Sequence, residues 1–245
     1  MTDRRVGLLM CDHVDVEARD VAGDYPEMFS DLMADQGVDL VGYDVVAGEL
    51  PVDPSECDGW ITTGSRASVY DGEPWIADLS GFVRRVHEAE VPFVGICFGH
   101  QLIAQALGGE VARAPGGWGV GARVAVVSSA EPWMQPPARR FRVLYSHQDQ
   151  VVTLPPGGRV LAAAPHAPVA MMAVADHLLG IQGHPEFPPD YLRVLLERRR
   201  GTTIPGDVVD DALGTLELPL HRHLVAEWIA RFFAPAAGGL GAARG

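Results

Sequence analysis

Residues 91–109 read VPFVGICFGHQLIAQALGG. The apolar run Val91-Pro92-Phe93-Val94-Gly95-Ile96 has the composition and length of a buried strand. From Gly99 onward the apolar residues recur at helical spacing as far as Leu107, and Gly108-Gly109 close the segment. Cys97 stands in the turn between strand and helix. Glycines two residues before and two after allow a sharp turn with close backbone approach on both sides, so the middle side chain projects from the sheet edge. That is the geometry of a nucleophile elbow with sulfur in place of oxygen. A thiol at a helix N-terminus meets the partial positive charge of the free N–H groups, which favours thiolate over thiol.

The chain before the elbow alternates strand and helix. Strands are predicted over 5–10, 38–46 and 57–63, with helices over 25–36, closed by Gly37, and over 74–90. In the second helix Ile76, Leu79, Phe82, Val83 and Val86 share the inward face, with Trp75 near its start. A β-α-β beginning predicts a parallel sheet with right-handed crossovers and helices on both faces. Gly64 ends the third strand. A glycine there can aim its N–H at the elbow and, with the N–H of Phe98, form an oxyanion hole; it serves a plain tight turn equally well.

After the elbow the pattern changes. Short strands over 110–113, 122–128, 140–145, 159–164, 169–173 and 178–182 are separated by Gly/Pro turns, so hairpins replace crossovers and part of the region is antiparallel. Gly116-Gly-Trp-Gly-Val-Gly121 lacks the lysine and the strand-to-helix setting of a phosphate loop. It reads as a loop with Trp118 as a wall of a substrate pocket, or as a simple hairpin connection. His184 follows the last core strand and so emerges at the same sheet edge as Cys97, while Pro185 restricts it to extended geometry. Three helical segments (189–199, 207–215 and 220–233) form a tail. The Ala/Gly-rich residues 235–245 read as disordered.

Two quoted segments fix a resemblance. Gly95-Ile-Cys97-Phe-Gly99-His-Gln101 resembles the G-x-C-x-G-x-Q elbow of the class I (triad-type) glutamine amidotransferases, and Gly183-His184-Pro185-Glu186 is similar to that family's histidine and glutamate motif. Between them, Tyr145-Ser-His-Gln-Asp-Gln-Val151 looks like the S-H-x-D-x-V segment of the branch that holds the glutaminase domain of GMP synthetase and stand-alone γ-glutamyl peptidases of plants. The resemblance runs from the first strand to about Phe187. It implies an α/β, flavodoxin-like, mostly parallel sheet with an added antiparallel hairpin region, in one domain over 1–234.

It also implies a site. Cys97 is the nucleophile, His184 the base and Glu186 the group that orients the imidazole; Gly64 and Phe98 supply the oxyanion hole. Gln101, Trp118, Ser146 and His147 are the expected substrate contacts, with His147 and Asp149 as pocket-wall or loop-ordering residues. No metal and no organic cofactor is required. The expected ligand is a small γ-glutamyl compound whose amide is cleaved through a thioester. Three functions are carried forward: a stand-alone γ-glutamyl hydrolase, the glutaminase partner of a separate synthetase subunit, and a non-catalytic cysteine sensor on the same scaffold.

Composition narrows the partners. The 245 residues carry 19 basic and 32 acidic side chains, a net charge of −13, which argues against a phosphate-backbone partner and so against nucleic acid. The one dense basic run, Arg198-Arg-Arg200, reads as a solvated helix end. Asp12-His13-Val14-Asp15 reads as solvated loop polarity rather than a metal site. His221 and His223, two apart, do not share a helical face. Three cysteines, at 11, 57 and 97, form no C-x-x-C pair and fit a reducing cytoplasm. No export signal or membrane span is expected.

Overall fold

The protein is described by a computed structural model covering residues 4–234; the expected disorder of 235–245 falls outside the described residues. Its strands are β1 (Arg4–Met10), β2 (Val38–Asp44), β3 (Gly59–Thr62), β4 (Phe93–Ile96), β5 (Glu110–Arg113), β6 (Gly119–Val127), β7 (Arg140–His147), β8 (Asp149–Thr153), β9 (Gly158–Ala164), β10 (Ala167–Val174) and β11 (Leu178–Ile181). The helices are α1 (Arg19–Ala22), a single turn, α2 (Tyr25–Leu32), α3 (Pro74–Glu88), α4 (Phe98–Ala106), α5 (Pro189–Arg199), α6 (Gly206–Leu213) and α7 (Arg222–Phe232).

Nine strands form one sheet in the order β2-β1-β3-β4-β11-β10-β9-β6-β7. Pairing is parallel from β2 to β11 and antiparallel from β11 to β7. The mixed sheet expected from the switch between crossovers and hairpins is therefore present, with β4 and β11 side by side in its parallel part. β5 and β8 make a separate antiparallel pair.

Alternation along the strands divides the core in two. Leu8, Ile61, Val94 and Ile96 join the cluster that packs against α2, α5, α6 and α7. Leu9, Trp60 and Phe93 face the other way, onto α3 and α4. All five inward positions expected for α3 are buried. The helix predicted over 25–36 stops at Leu32, because Asp35 and Gly37 adopt positive φ (62° and 66°) and end it in turns. Its start is fixed by a capping box in which Asp24 and Glu27 satisfy each other's backbone amides.

Three readings are corrected. The strand expected over 140–145 continues as β7 through Ser146 and His147, and a further strand, β8, opens at Asp149 where none was expected. The glycine-rich 116–121 stretch is a loop only to Trp118, since β6 begins at Gly119. There Gly121 has φ +87°, and a Cβ on it would stand 2.6 Å from Thr215 Oγ1, so close packing of α6 on β6 requires the glycine. Finally, the polar 12–15 segment is built into an ion-pair network, described below.

Candidate active site

β4 ends at Ile96 and α4 starts at Phe98, leaving Cys97 alone at the junction with φ 47° and ψ −93°. A non-glycine residue holds such a conformation at a cost of about 1–3 kcal/mol, and only when its surroundings over-determine it. They do so here. The Cys97 N–H donates to the Ile181 carbonyl of β11 at 2.8 Å, and the Cys97 carbonyl accepts from the Gln101 N–H at 3.1 Å. A Cβ on Gly95 would collide with the Gly99 carbonyl group, and one on Gly99 with Thr62. The flanking glycines thus serve close approach, while the positive φ falls on the cysteine itself.

β11 delivers the second group. It runs parallel to β4 with Ile181 opposite Ile96, so the chain leaving it passes beside the elbow. The His184 N–H donates to the Leu144 carbonyl of β7 at 2.7 Å. Its Nδ1 lies 2.7 Å from Glu186 Oε1, with both side chains buried. The ring stacks on Phe187, centroids 4.0 Å apart and planes 8° from parallel. Burial alone would keep this imidazole neutral, but the Glu186 carboxylate and the Cys97 sulfur outweigh it and push His184 up to about 10. The upward direction favours the charged imidazole, set between a carboxylate and a sulfur.

Gly64 closes over this pair. A Cβ there would lie 2.7 Å from His184 Cε1 and 3.7 Å from Cys97 Cβ. The Thr63 hydroxyl donates to the Gly64 carbonyl at 2.8 Å and accepts from the Cys11 N–H at 2.9 Å, which fixes the orientation of the strand end. Phe98 opens α4, so its N–H belongs to the first turn, where amides have no intrahelical partner.

The loop after Gly64 is tied down from two sides. Arg66 donates from its backbone N–H and from Nε to Asp12 Oδ2 at 2.9 and 2.8 Å, and from its guanidinium to Asp15 and the His13 carbonyl. His13 in turn sits between Asp24 and Asp44, at 2.9 and 3.0 Å. On the other side Ser68 Oγ donates to the carboxylate of Asp149. The 12–15 segment is therefore a buttress for the loop that carries Gly64. Among the described residues no group of three or more His, Cys, Asp or Glu side chains is arranged to hold a metal.

A cavity of about 490 Å³ opens above the elbow, lined by Cys97, His184 and the expected contacts Gln101, Trp118, Ser146 and His147. Glu186 stands behind His184, fully buried. Gln101 turns its amide N–H groups inward, to the Asp149 carbonyl at 2.7 Å and to Gln182 Oε1 at 3.3 Å. Burial, reinforced by the neighbouring His166, His184 and His100, pushes His147 down to about 3, so it is a neutral wall.

Two residues at this site escape the sequence reading. Arg199, expected to be solvated, lines the cavity and donates to Ser146 Oγ at 3.3 Å. The signal was available: Tyr191, Leu195 and Arg199 are spaced four apart along α5 and all line the cavity. Gln182 is the other. It follows the last residue of β11, and its Nε2 reaches Cys97 Sγ at 3.6 Å.

A family model for class I glutamine amidotransferases matches residues 35–193. The chain belongs to the class I glutamine amidotransferase family. It is 32% identical over 206 residues to gamma-glutamyl peptidase 4 of Arabidopsis thaliana, covering 81% of this chain and 82% of that one. It is 44% identical over 128 residues to a glutamine-hydrolysing GMP synthase of Thermomicrobium roseum, covering 52% of this chain but 23% of that protein. Among solved structures, a glutamine amidotransferase of Thermotoga maritima superposes with a TM-score of 0.73 at 21% identity, covering 95% and 97% of the two chains. Among the described residues no helix is long and apolar enough to cross a membrane.

Proposed function

We propose that the protein hydrolyses a γ-glutamyl amide bond by thiol catalysis and does so without a synthetase partner. The observation that carries this reading is the strained Cys97 set beside a buried His184–Glu186 pair. Cys97 thiolate attacks the γ-carbonyl carbon, forming the C–S bond, and charge passes to the oxygen, where the N–H groups of Gly64 and Phe98 receive it. One such donor is worth about 3 kcal/mol of barrier. The tetrahedral species collapses with cleavage of the C–N bond, and His184 gives its proton to the departing nitrogen. Water then adds to the thioester, losing a proton to His184, and the C–S bond breaks with its electron pair returning to sulfur. Glu186 keeps the imidazole oriented and stabilises its charged form throughout.

Action alone is supported by the match to gamma-glutamyl peptidase 4, which covers 81% of this chain and 82% of that one. The three free cysteines fit a reducing cytoplasm. Steady-state assays of the purified protein, without partner or nucleotide, on glutamine, γ-glutamyl peptides and γ-glutamyl amines test the reading. Turnover on the order of 1 per second or above on at least one of them is expected. A second reading, a glutaminase that feeds ammonia to a separate synthetase subunit, is favoured by the likeness to the GMP synthase. Negligible turnover on every substrate, restored by a co-purifying synthetase, would put it in first place.

A further inference from the structure

Cys97 is approached by a second polar side chain besides His184. Gln182, fully buried, donates from Nε2 to Cys97 Sγ at 3.6 Å. Its backbone is held by an N–H donated to the Ala170 carbonyl at 3.0 Å. The orientation of the amide is set from behind, because Gln101 Nε2 donates to Gln182 Oε1 at 3.3 Å and to the Asp149 carbonyl at 2.7 Å. With the oxygen of Gln182 turned to Gln101, its NH2 group must face the sulfur.

An amide N–H differs from an imidazolium in one respect that matters here. It stabilises a negative sulfur by a hydrogen bond yet has no proton to yield, so it neither competes with His184 for the acid–base role nor quenches the thiolate. In a cavity wall from which water is largely excluded such a donor is stronger than in solution. It acts twice in the cycle: before attack, on the free thiolate, and at the end, when the C–S bond breaks and the electron pair returns to sulfur.

We propose that Gln182 is a catalytic residue that stabilises the Cys97 thiolate and fixes its direction, with Gln101 as the positioning residue that holds the Gln182 amide the right way round. This rests on the reading of Cys97 as the nucleophile, and it gives Gln101 a role toward the enzyme beside its place in the cavity wall.

The test measures the nucleophile without the substrate. The rate of Cys97 alkylation by iodoacetamide, followed by peptide mass spectrometry from pH 5 to 10, is compared in wild type, Gln182→Leu, Gln182→Glu and Gln101→Leu. For Gln182→Leu the midpoint of the profile should rise by about one pH unit, which is about tenfold slower alkylation on its acid side. Gln182→Glu, close to isosteric and a safeguard should the leucine variant misfold, should rise further. Gln101→Leu should shift in the same direction by less. Unchanged profiles in folded Gln182 variants would overturn the inference. Shifted profiles in a protein that cleaves no γ-glutamyl amide would uphold it while overturning the hydrolase reading.

Discussion

Nδ1 of His184 and Oε1 of Glu186 lie 2.7 Å apart with no more than 4% of either side chain exposed. A carboxylate this close fixes the tautomer of the imidazole as well as its charge. Glu186→Gln keeps size and hydrogen bonding but removes the charge, so kcat should fall by on the order of 10²–10⁴-fold. His184→Ala should fall further. Steady-state kinetics of the two variants check the order; a wild-type Glu186→Gln enzyme would mean that another carboxylate completes the triad.

Cys97→Ser is nearly isosteric, and a hydroxyl is far less ionised than a thiol. Turnover should drop by on the order of 10³-fold or more, with the melting temperature essentially unchanged. In the wild type, a slowly released γ-glutamyl substrate should leave a γ-glutamyl mass increment on the Cys97 peptide. Full activity in the serine variant would end the thiol mechanism.

Gly64→Ala places a methyl 2.7 Å from His184 Cε1. The ring must give way, and it is already held between Phe187 and Glu186. Misplacing a catalytic group by about 1 Å costs on the order of 10²-fold, so kcat should fall by about that factor while KM changes less. A kcat within twofold of wild type would show that the strand end is not part of the reacting surface.

Arg199 reaches a serine hydroxyl rather than a carboxylate, inside the cavity. A half-buried guanidinium so placed suits a carboxylate on the ligand. Arg199→Ala should therefore raise KM for a γ-glutamyl amino acid by about tenfold, the equivalent of a hydrogen bond to a charged group, and affect a γ-glutamyl alkylamine much less. Equal effects on the two substrates would assign Arg199 to the glutamyl half instead.

The pH dependence of stability has two sides. Burial pushes His100, His147 and His166 from 6.5 down to about 4, 3 and 4. The unfolded chain takes up those protons first, so their contribution is whole above 6.5 and is lost as pH falls towards the folded values. His184, raised from 6.5 to about 10, contributes fully below 6.5 and loses that contribution as pH rises through the folded value. The melting temperature should therefore peak near neutrality, and the alkaline fall should be shallower in His184→Asn. Identical alkaline slopes in the two proteins would contradict the raised imidazole.

The parts of the site legible from sequence are those whose chemistry is written in consecutive residues. The elbow glycines frame Cys97, and Gly183-His184-Pro185-Glu186 keeps base and carboxylate two apart. What was missed depends on neighbours far along the chain. β8 has five residues and, among the described residues, pairs only with β5, so its strand character comes from a partner that local propensity does not reveal. Arg66 and Asp12 are separated by α1, α2, β2 and β3, and the side-by-side placement of β1 and β3 brings them together. Arg199 looked like one of three arginines at a helix end, and its direction is set by the packing of Tyr191 and Leu192 in the core. Gln182 was overlooked because a glutamine has no chemistry until a partner is given to it.

β11 is the last strand in the chain, yet it occupies the middle of the sheet, between β4 and β10. Gln182 follows Cys97 by 85 positions, so at ribosomal rates of 5–20 residues per second the thiol is made roughly 4–17 s before the groups that act on it. Until β11 slots in, the elbow lacks both the His184 imidazole and the Gln182 amide, and β4 presents an unpaired edge. A chain that stops short of β11 thus has Cys97 without the two side chains that meet it in the folded protein, beside a strand edge left open for pairing. The surroundings of this thiol are completed late in synthesis, by a strand that is followed in the chain by α5, α6 and α7.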